Sequence, residues 1–126
     1  RRKIGVATAR AGNVIGGGDW SEDRIIPDFI KSIKNNKKFY LRFPSAVRPW
    51  QHVLDVIYGY LLLGKKMFKN QNFNGSWNFG PSKRNLLTVK QLINFINKQM
   101  NLDKKINFKK QKDFYETKVL VLDSAK

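Results

Sequence analysis

R-A-G-N-V-I-G-G-G-D-W, residues Arg10 to Trp20, joins two patterns of different period. Ahead of it Ile4, Val6 and Thr8 alternate as in a β-strand; beyond it Asp28 to Ile33 reads as a helix. Three successive glycines, Gly16 to Gly18, stand beside an acid and a tryptophan. Glycine lets the backbone take positive φ and approach a ligand closely, and ligands bind at strand ends in open α/β sheets. A glycine run after a strand is also an ordinary turn, so the reading depends on the rest of the chain.

The chain has 126 residues, enough for one small domain. It has no cysteine, which excludes a disulfide framework and cysteine-based zinc sites, and its one histidine, His52, excludes clustered-histidine metal chemistry. No metal site is expected. No apolar run reaches the roughly 18 residues of a membrane span, and no apolar signal segment follows Arg1-Arg2-Lys3. The expectation is a cytoplasmic protein without a membrane partner. Lys and Arg total 25 against 9 Asp and Glu, a formal charge of +16. Such a balance raises nucleic acid as a partner, but Lys31, Lys34, Lys65, Lys69, Lys90 and Lys98 are scattered over helix faces and loops. A solvated surface with a bias towards Lys and Asn is the preferred reading, and an anionic small ligand would suit the same field.

Pro27 suits the first turn of a helix, Ile30 and Ile33 share one face, and Asn35-Asn36 closes it. Lys38 to Arg42 reads as a short strand ended by Pro44 and Ser45, and Arg48 to Val53 as an extended segment. Asp55 is a candidate cap for the helix that follows, whose apolar density predicts burial on more than one side. Asn72 to Ser76 reads as a loop and Trp77 to Pro81 as a short strand. Thr88 is a good N-cap before the stripe Val89, Leu92, Ile93, Phe95 and Ile96. Ile106 to Phe108 and, more clearly, Val119 to Leu122 read as strands, the latter running into a helix N-cap. Strands alternating with helices predict an α/β fold with a small mixed sheet. The missing methionine and the helix that starts at the last residues give the chain the look of a piece of something longer.

Little here is catalytic. There is no G-x-G-x-x-G phosphate loop, no paired carboxylates at a fixed spacing and no nucleophile beside a base. His52, beside Trp50 and Val53, reads as structural. Arg48, next to Pro49-Trp50, is suited to bidentate contact with a phosphate; a surface arginine stacked on Trp50 is the alternative. The Asn13 amide, at a strand end among glycines, can donate to a phosphate or sugar oxygen or simply form a turn.

R-A-G-N-V-I-G-G-G-D-W, then D-R-I-I-P-D, R-P-W-Q-H-V-L-D and W-N-F-G-P, in this order, resemble the CDP-glucose 4,6-dehydratases, which are extended short-chain dehydrogenases/reductases. The terminal Glu116, Leu120, Leu122, Asp123, Ser124 and Lys126 fit the same pattern, so the resemblance covers almost the whole chain. It implies the C-terminal part of such an enzyme: the end of a Rossmann sheet plus a small mixed α/β substrate lobe. Residues 1–126 would form that single substrate-binding lobe, residues 1–12 being the last part of an NAD-binding Rossmann domain otherwise absent. The implied enzyme is an NAD-dependent lyase converting CDP-glucose to CDP-4-keto-6-deoxyglucose and water, for deoxysugars of lipopolysaccharide O-antigen, and a homo-oligomer at full length. A dTDP- or GDP-sugar dehydratase or epimerase, or a small basic nucleic-acid-binding module, is the alternative.

The resemblance also assigns residues. Asn13, Arg24, Arg42, Arg48 and Asn78 fall at substrate-binding positions, Arg48 on the pyrophosphate, with Pro27 in the segment opening the lobe. Ala11, Gly12 and Asn13 fall near the nicotinamide of NAD. The family's catalytic residues lie upstream of Arg10, and Tyr40, Tyr58, Tyr60 and Tyr115 lack a lysine at the Tyr-x-x-x-Lys spacing. The chain by itself is therefore expected to be inactive.

Overall fold

In a computed structural model, which describes residues 4–82, 86–102, 106–108 and 116–125, short strands alternate with three helices. In chain order these are β1 (Ala7–Ala11), β2 (Asn13–Ile15), α1 (Ile25–Lys34), β3 (Phe39–Leu41), β4 (Val47–Arg48) and β5 (Trp50–His52). There follow α2 (Val53–Lys69), a 3-10 turn (Gln71–Phe73), β6 (Gly75–Phe79), β7 (Leu87–Thr88), α3 (Val89–Gln99) and β8 (Ile106–Phe108). The chain divides into two compact units: unit 1 is Arg1–Gly16, Pro49–Leu86 and Val121–Lys126, and unit 2 is Gly17–Arg48 and Leu87–Leu120. Lys126 of the terminal pattern, Tyr115 and Arg1 to Lys3 lie outside the described residues.

Unit 1 is built on two parallel pairs. β1 lies along β6 with Ala7 opposite Gly75 and Ala11 opposite Phe79. β2 lies along β5 with Asn13 opposite Trp50 and Ile15 opposite His52. The first strand therefore runs from Ala7, later than the Ile4–Thr8 alternation suggested, because its register is set by Gly75 to Phe79; Ile4 and Val6 are exposed. β6 likewise begins at Gly75, inside the expected loop. α2 is capped by His52, whose Nδ1 accepts from the Leu54 amide at 3.2 Å, and not by Asp55. A helix N-terminus leaves amide donors without partners, and the imidazole satisfies one. Burial on several sides is not what α2 shows. Only Val56 and Leu63 are buried, while Leu54, Ile57, Tyr58, Leu61 and Phe68 are exposed. No described element of unit 1 covers that face.

Unit 2 has a closed core. Phe29 of α1, Phe39 and Leu41 of β3 and Ile93 of α3 are buried together, ringed by partly buried Ile25, Ile26, Ile30, Ile33, Val89, Ile96, Leu102 and Ile106. Phe29 meets Phe39 edge to face with ring centroids 5.1 Å apart, a favoured aromatic geometry. α1 starts at Ile25, so Pro27 falls in its first turn, where a missing N–H costs nothing. Lys31 and Lys34 complement the negative C-terminal end of its dipole. Asn35 closes the helix and Asn36 takes φ 48°, a left-handed position that asparagine tolerates. α3 opens with a capping box. The Gln91 amide donates to Thr88 Oγ1 at 3.2 Å, and the Thr88 amide donates to Gln91 Oε1 at 2.8 Å.

β3 pairs parallel with β8, and β4 antiparallel with β7. Val119 to Leu122 is not a strand of its own. It makes one parallel bridge, Val47 to Val119, because β4 offers only two residues of edge.

Candidate functional site

The sequence-assigned residues fall into two groups. In unit 1, Ala11 ends β1 and Asn13 opens β2, with Gly12 between them. The Asn13 amide donates to the Pro49 carbonyl at 3.0 Å. A Cβ at residue 12 would overlap that same carbonyl and the proline ring, and one at residue 16 would strike Val53. Gly12 and Gly16 thus admit neighbouring protein rather than a ligand. Gly17 and Gly18 face open space, and Gly18 sits at φ 79°, which demands glycine. The half-buried Asn13 side chain makes no hydrogen bond among the described residues.

Asn78 stands on β6 opposite Arg10. Its Nδ2 donates to the Asp123 carbonyl at 2.8 Å, while its Oδ1 is buried without a donor among the described residues. An orphaned buried acceptor is uncommon, and this one is a place for an incoming N–H or O–H. Beside it, Gln51 Nε2 donates to the Phe79 carbonyl at 2.9 Å. The Asp123 carboxylate turns back to accept from the Ala125 amide at 3.3 Å, a local turn, and no helix follows it among the described residues.

In unit 2, Arg48 is 7% exposed. Its Nη1 donates to the Val47 carbonyl at 2.7 Å, and its Nη2 forms an ion pair with Glu116. Glu116 belonged to the terminal sequence pattern, but nothing in that pattern marks it as this arginine's partner. Arg42 Nη2 reaches Asp23 Oδ1 at 3.2 Å, with both side chains well exposed, so the pair adds little stability. Arg24 is the N-cap of α1, with extended backbone and no capping bond from its side chain. Its carbonyl accepts from the Asp28 amide at 2.9 Å. Arg24 and Arg42 are thus brought to one corner through Asp23. Of the nearby acids, Asp19 is held below the usual carboxylate range by hydrogen bonds from Ser21, and Asp28 is pushed up by burial.

For NAD, the assigned residues make a poor cradle. Ala11 is paired with β6, and Asn13 is paired with β5 and donates its backbone amide to Pro49, which leaves the Gly12 backbone and the Asn13 side chain for an edge contact. No group of three or more His, Cys, Asp or Glu among the described residues could hold a metal ion.

No protein-family model matches the chain. Over 91 residues, 71% of its length, it is 44% identical to CDP-glucose 4,6-dehydratase of Salmonella typhimurium. The chain is a sequence relative of that dehydratase. It spans about a quarter of the relative's length, 25%. Among solved structures, a UDP-N-acetylglucosamine 4-epimerase from Methanobrevibacter ruminantium matches 94% of the chain at TM-score 0.77 and 20% identity. The match takes up 37% of the epimerase. A dTDP-glucose 4,6-dehydratase from Bacillus anthracis, solved in complex with NAD, matches 95% of the chain and 36% of its own at TM-score 0.70 and 19% identity. The fold is that of a part of these extended short-chain dehydrogenase/reductase structures, a small mixed α/β portion of them. No helix among the described residues is long and apolar enough to cross a membrane.

Proposed function

We propose that this chain is the nucleotide-sugar-binding portion of a CDP-glucose 4,6-dehydratase. The observation that carries the reading is the 44% identity to that enzyme over 71% of the chain, which is more specific than the shared fold. For the whole protein the reaction is loss of water from CDP-glucose to give CDP-4-keto-6-deoxyglucose. Bound NAD would supply the reversible oxidation, and no residue of this chain is assigned to the proton transfers. Residues 1–12 would be the end of the NAD-binding domain. A cytoplasmic homo-oligomer supplying deoxysugars for lipopolysaccharide O-antigen is the setting that this activity suits.

Each residue has a role within its own unit. In unit 2, Arg48 takes the diphosphate, because a planar guanidinium matches two phosphate oxygens at once; Arg42 and Arg24 add positive charge. In unit 1, Asn13 donates to a ligand oxygen from an amide without an internal partner, and Asn78 receives a ligand donor at its orphaned Oδ1. Of the NAD contacts, the Asn13 side chain and the Gly12 backbone are what Ala11, Gly12 and Asn13 leave open.

The test is calorimetric titration of the protein with CDP-glucose. Arg48→Ala is expected to weaken binding about tenfold or more, the loss of a charge-assisted bidentate contact. His52→Ala, which removes only a helix cap, should change it less than about twofold. Equal small effects would overturn the role of Arg48, and preferential binding of dTDP- or GDP-glucose would move the reading to a related dehydratase or epimerase. The +16 charge favours one further reading, a nucleic-acid-binding module. That reading requires oligonucleotide affinity that falls steeply with salt and no preference for CDP over plain diphosphate.

A further inference from the structure

A guanidinium that is to receive a phosphate must be reachable, yet the Arg48 side chain is only 9% exposed, whereas that of its partner Glu116 is 41% exposed. The carboxylate is therefore the water-facing member of the pair. Backbone bonds station it there. The Val47 amide donates to the Lys118 carbonyl at 2.8 Å, and the Leu120 amide donates to the Val47 carbonyl at 3.1 Å. These bonds fasten the segment carrying Glu116 along one edge of β4, while β7 takes the other. A carboxylate and a phosphate offer a guanidinium the same thing, paired anionic oxygens that accept charge-assisted hydrogen bonds. Arg48 has five N–H donors; one goes to Val47 and another to Glu116.

We infer that Glu116 is the resident anion of Arg48, which a ligand diphosphate has to displace, and that it thereby sets the affinity of this arginine for diphosphates. The inference rests on the assignment of Arg48 to the diphosphate. Glu116 acts through Arg48 and is a positioning residue, holding the guanidinium in place and neutralised while the ligand is absent. A glutamine at 116 keeps an acceptor of the same shape but loses the charge. The guanidinium is then held less tightly and presents more net charge to an incoming anion.

The experiment is titration of the chain and of Glu116→Gln with CDP, inorganic pyrophosphate and cytidine. Glu116→Gln should bind CDP and pyrophosphate about fivefold more tightly, the difference between a charged and a neutral acceptor on one donor. Cytidine, which lacks phosphate, should bind unchanged. Glu116→Asp, with a shortened reach, should shift both anions in the same direction by less, and serves if Glu116→Gln does not fold. Unchanged or weaker anion binding overturns the inference, as does equal tightening of cytidine. Arg48→Ala separates the two levels. If it weakens CDP binding while Glu116→Gln fails to tighten it, only the inference falls. If Arg48→Ala has no effect, or neither anion binds any of these chains, the assignment of Arg48 falls as well.

Discussion

Unit 2 closes around four side chains drawn from two helices and a strand, whereas in unit 1 a helix of 17 residues buries only Val56 and Leu63. The contrast does not come from composition, since α2 is rich in leucine, valine and tyrosine. It comes from what each unit has to lay against its helices. In unit 2, Phe29 and Ile93 converge on β3 from different helices, so apolar surface meets apolar surface. In unit 1 the sheets are two parallel pairs, and parallel sheets are ordinarily covered on both faces. Apolar density thus reports that an element is made to be covered, and the chain spans only part of the solved structures that share its fold.

The largest expected effect tests that contrast directly. Phe29→Ala, at a fully buried site, should cost about 3–5 kcal/mol in urea unfolding. Leu61→Ala, on the exposed face of α2, should cost under about 0.5 kcal/mol. Similar losses at the two sites would break the comparison. A smaller effect sharpens it at the helix ends. Thr88→Ala removes the capping box of α3 and should lower stability by about 1 kcal/mol, read as a lower urea midpoint at unchanged slope. His52→Ala, which takes one acceptor from the amide end of α2, should cost less.

The smallest effect concerns pH within unit 2. Burial raises the Asp28 carboxyl above its ordinary 3.8, so the folded state holds that proton more tightly than the unfolded state does. Its contribution to stability is fully present below 3.8 and is lost as pH rises through the raised value. Asp28→Asn should therefore stabilise slightly at neutral pH and lose that advantage below 3.8, seen as urea midpoints that converge in acid. A gain independent of pH would assign the effect to helix propensity instead.

What could be read in the sequence follows from distance along the chain. Pro27, Asn35-Asn36 and the Thr88–Gln91 box are written in four or fewer consecutive residues, and each is where the local chemistry puts it. Phe39 to Leu41 and Ile106 to Phe108 were legible as strands, but not as partners. Pairing of Ala7 with Gly75 shifted the first strand, and the short edge of β4 reduced Val119 to Leu122 to a single bridge. His52 was legible as structural, but not as the cap of α2, because Asp55 is the commoner capping type. At the candidate site, Arg48 could be singled out from Pro49 and Trp50 beside it. Its engagement by Glu116, 68 residues away, depends on β4 holding the later segment, which no local pattern encodes.

The register of β1 against β6 also has a consequence in time. Among the described residues, a strand completed at Ala11 finds its partner at Gly75 to Phe79, after the chain has passed out of unit 1 and back. At a synthesis rate of about 5–20 residues per second, β1 would leave the ribosome seconds before the segment that pairs with it. Until then the amides and carbonyls on that side are an open edge, the kind that recruits wrong strands. Four of its five residues are alanine or threonine and the fifth is Arg10, so a strand with this long to wait offers a foreign chain little apolar surface to hold.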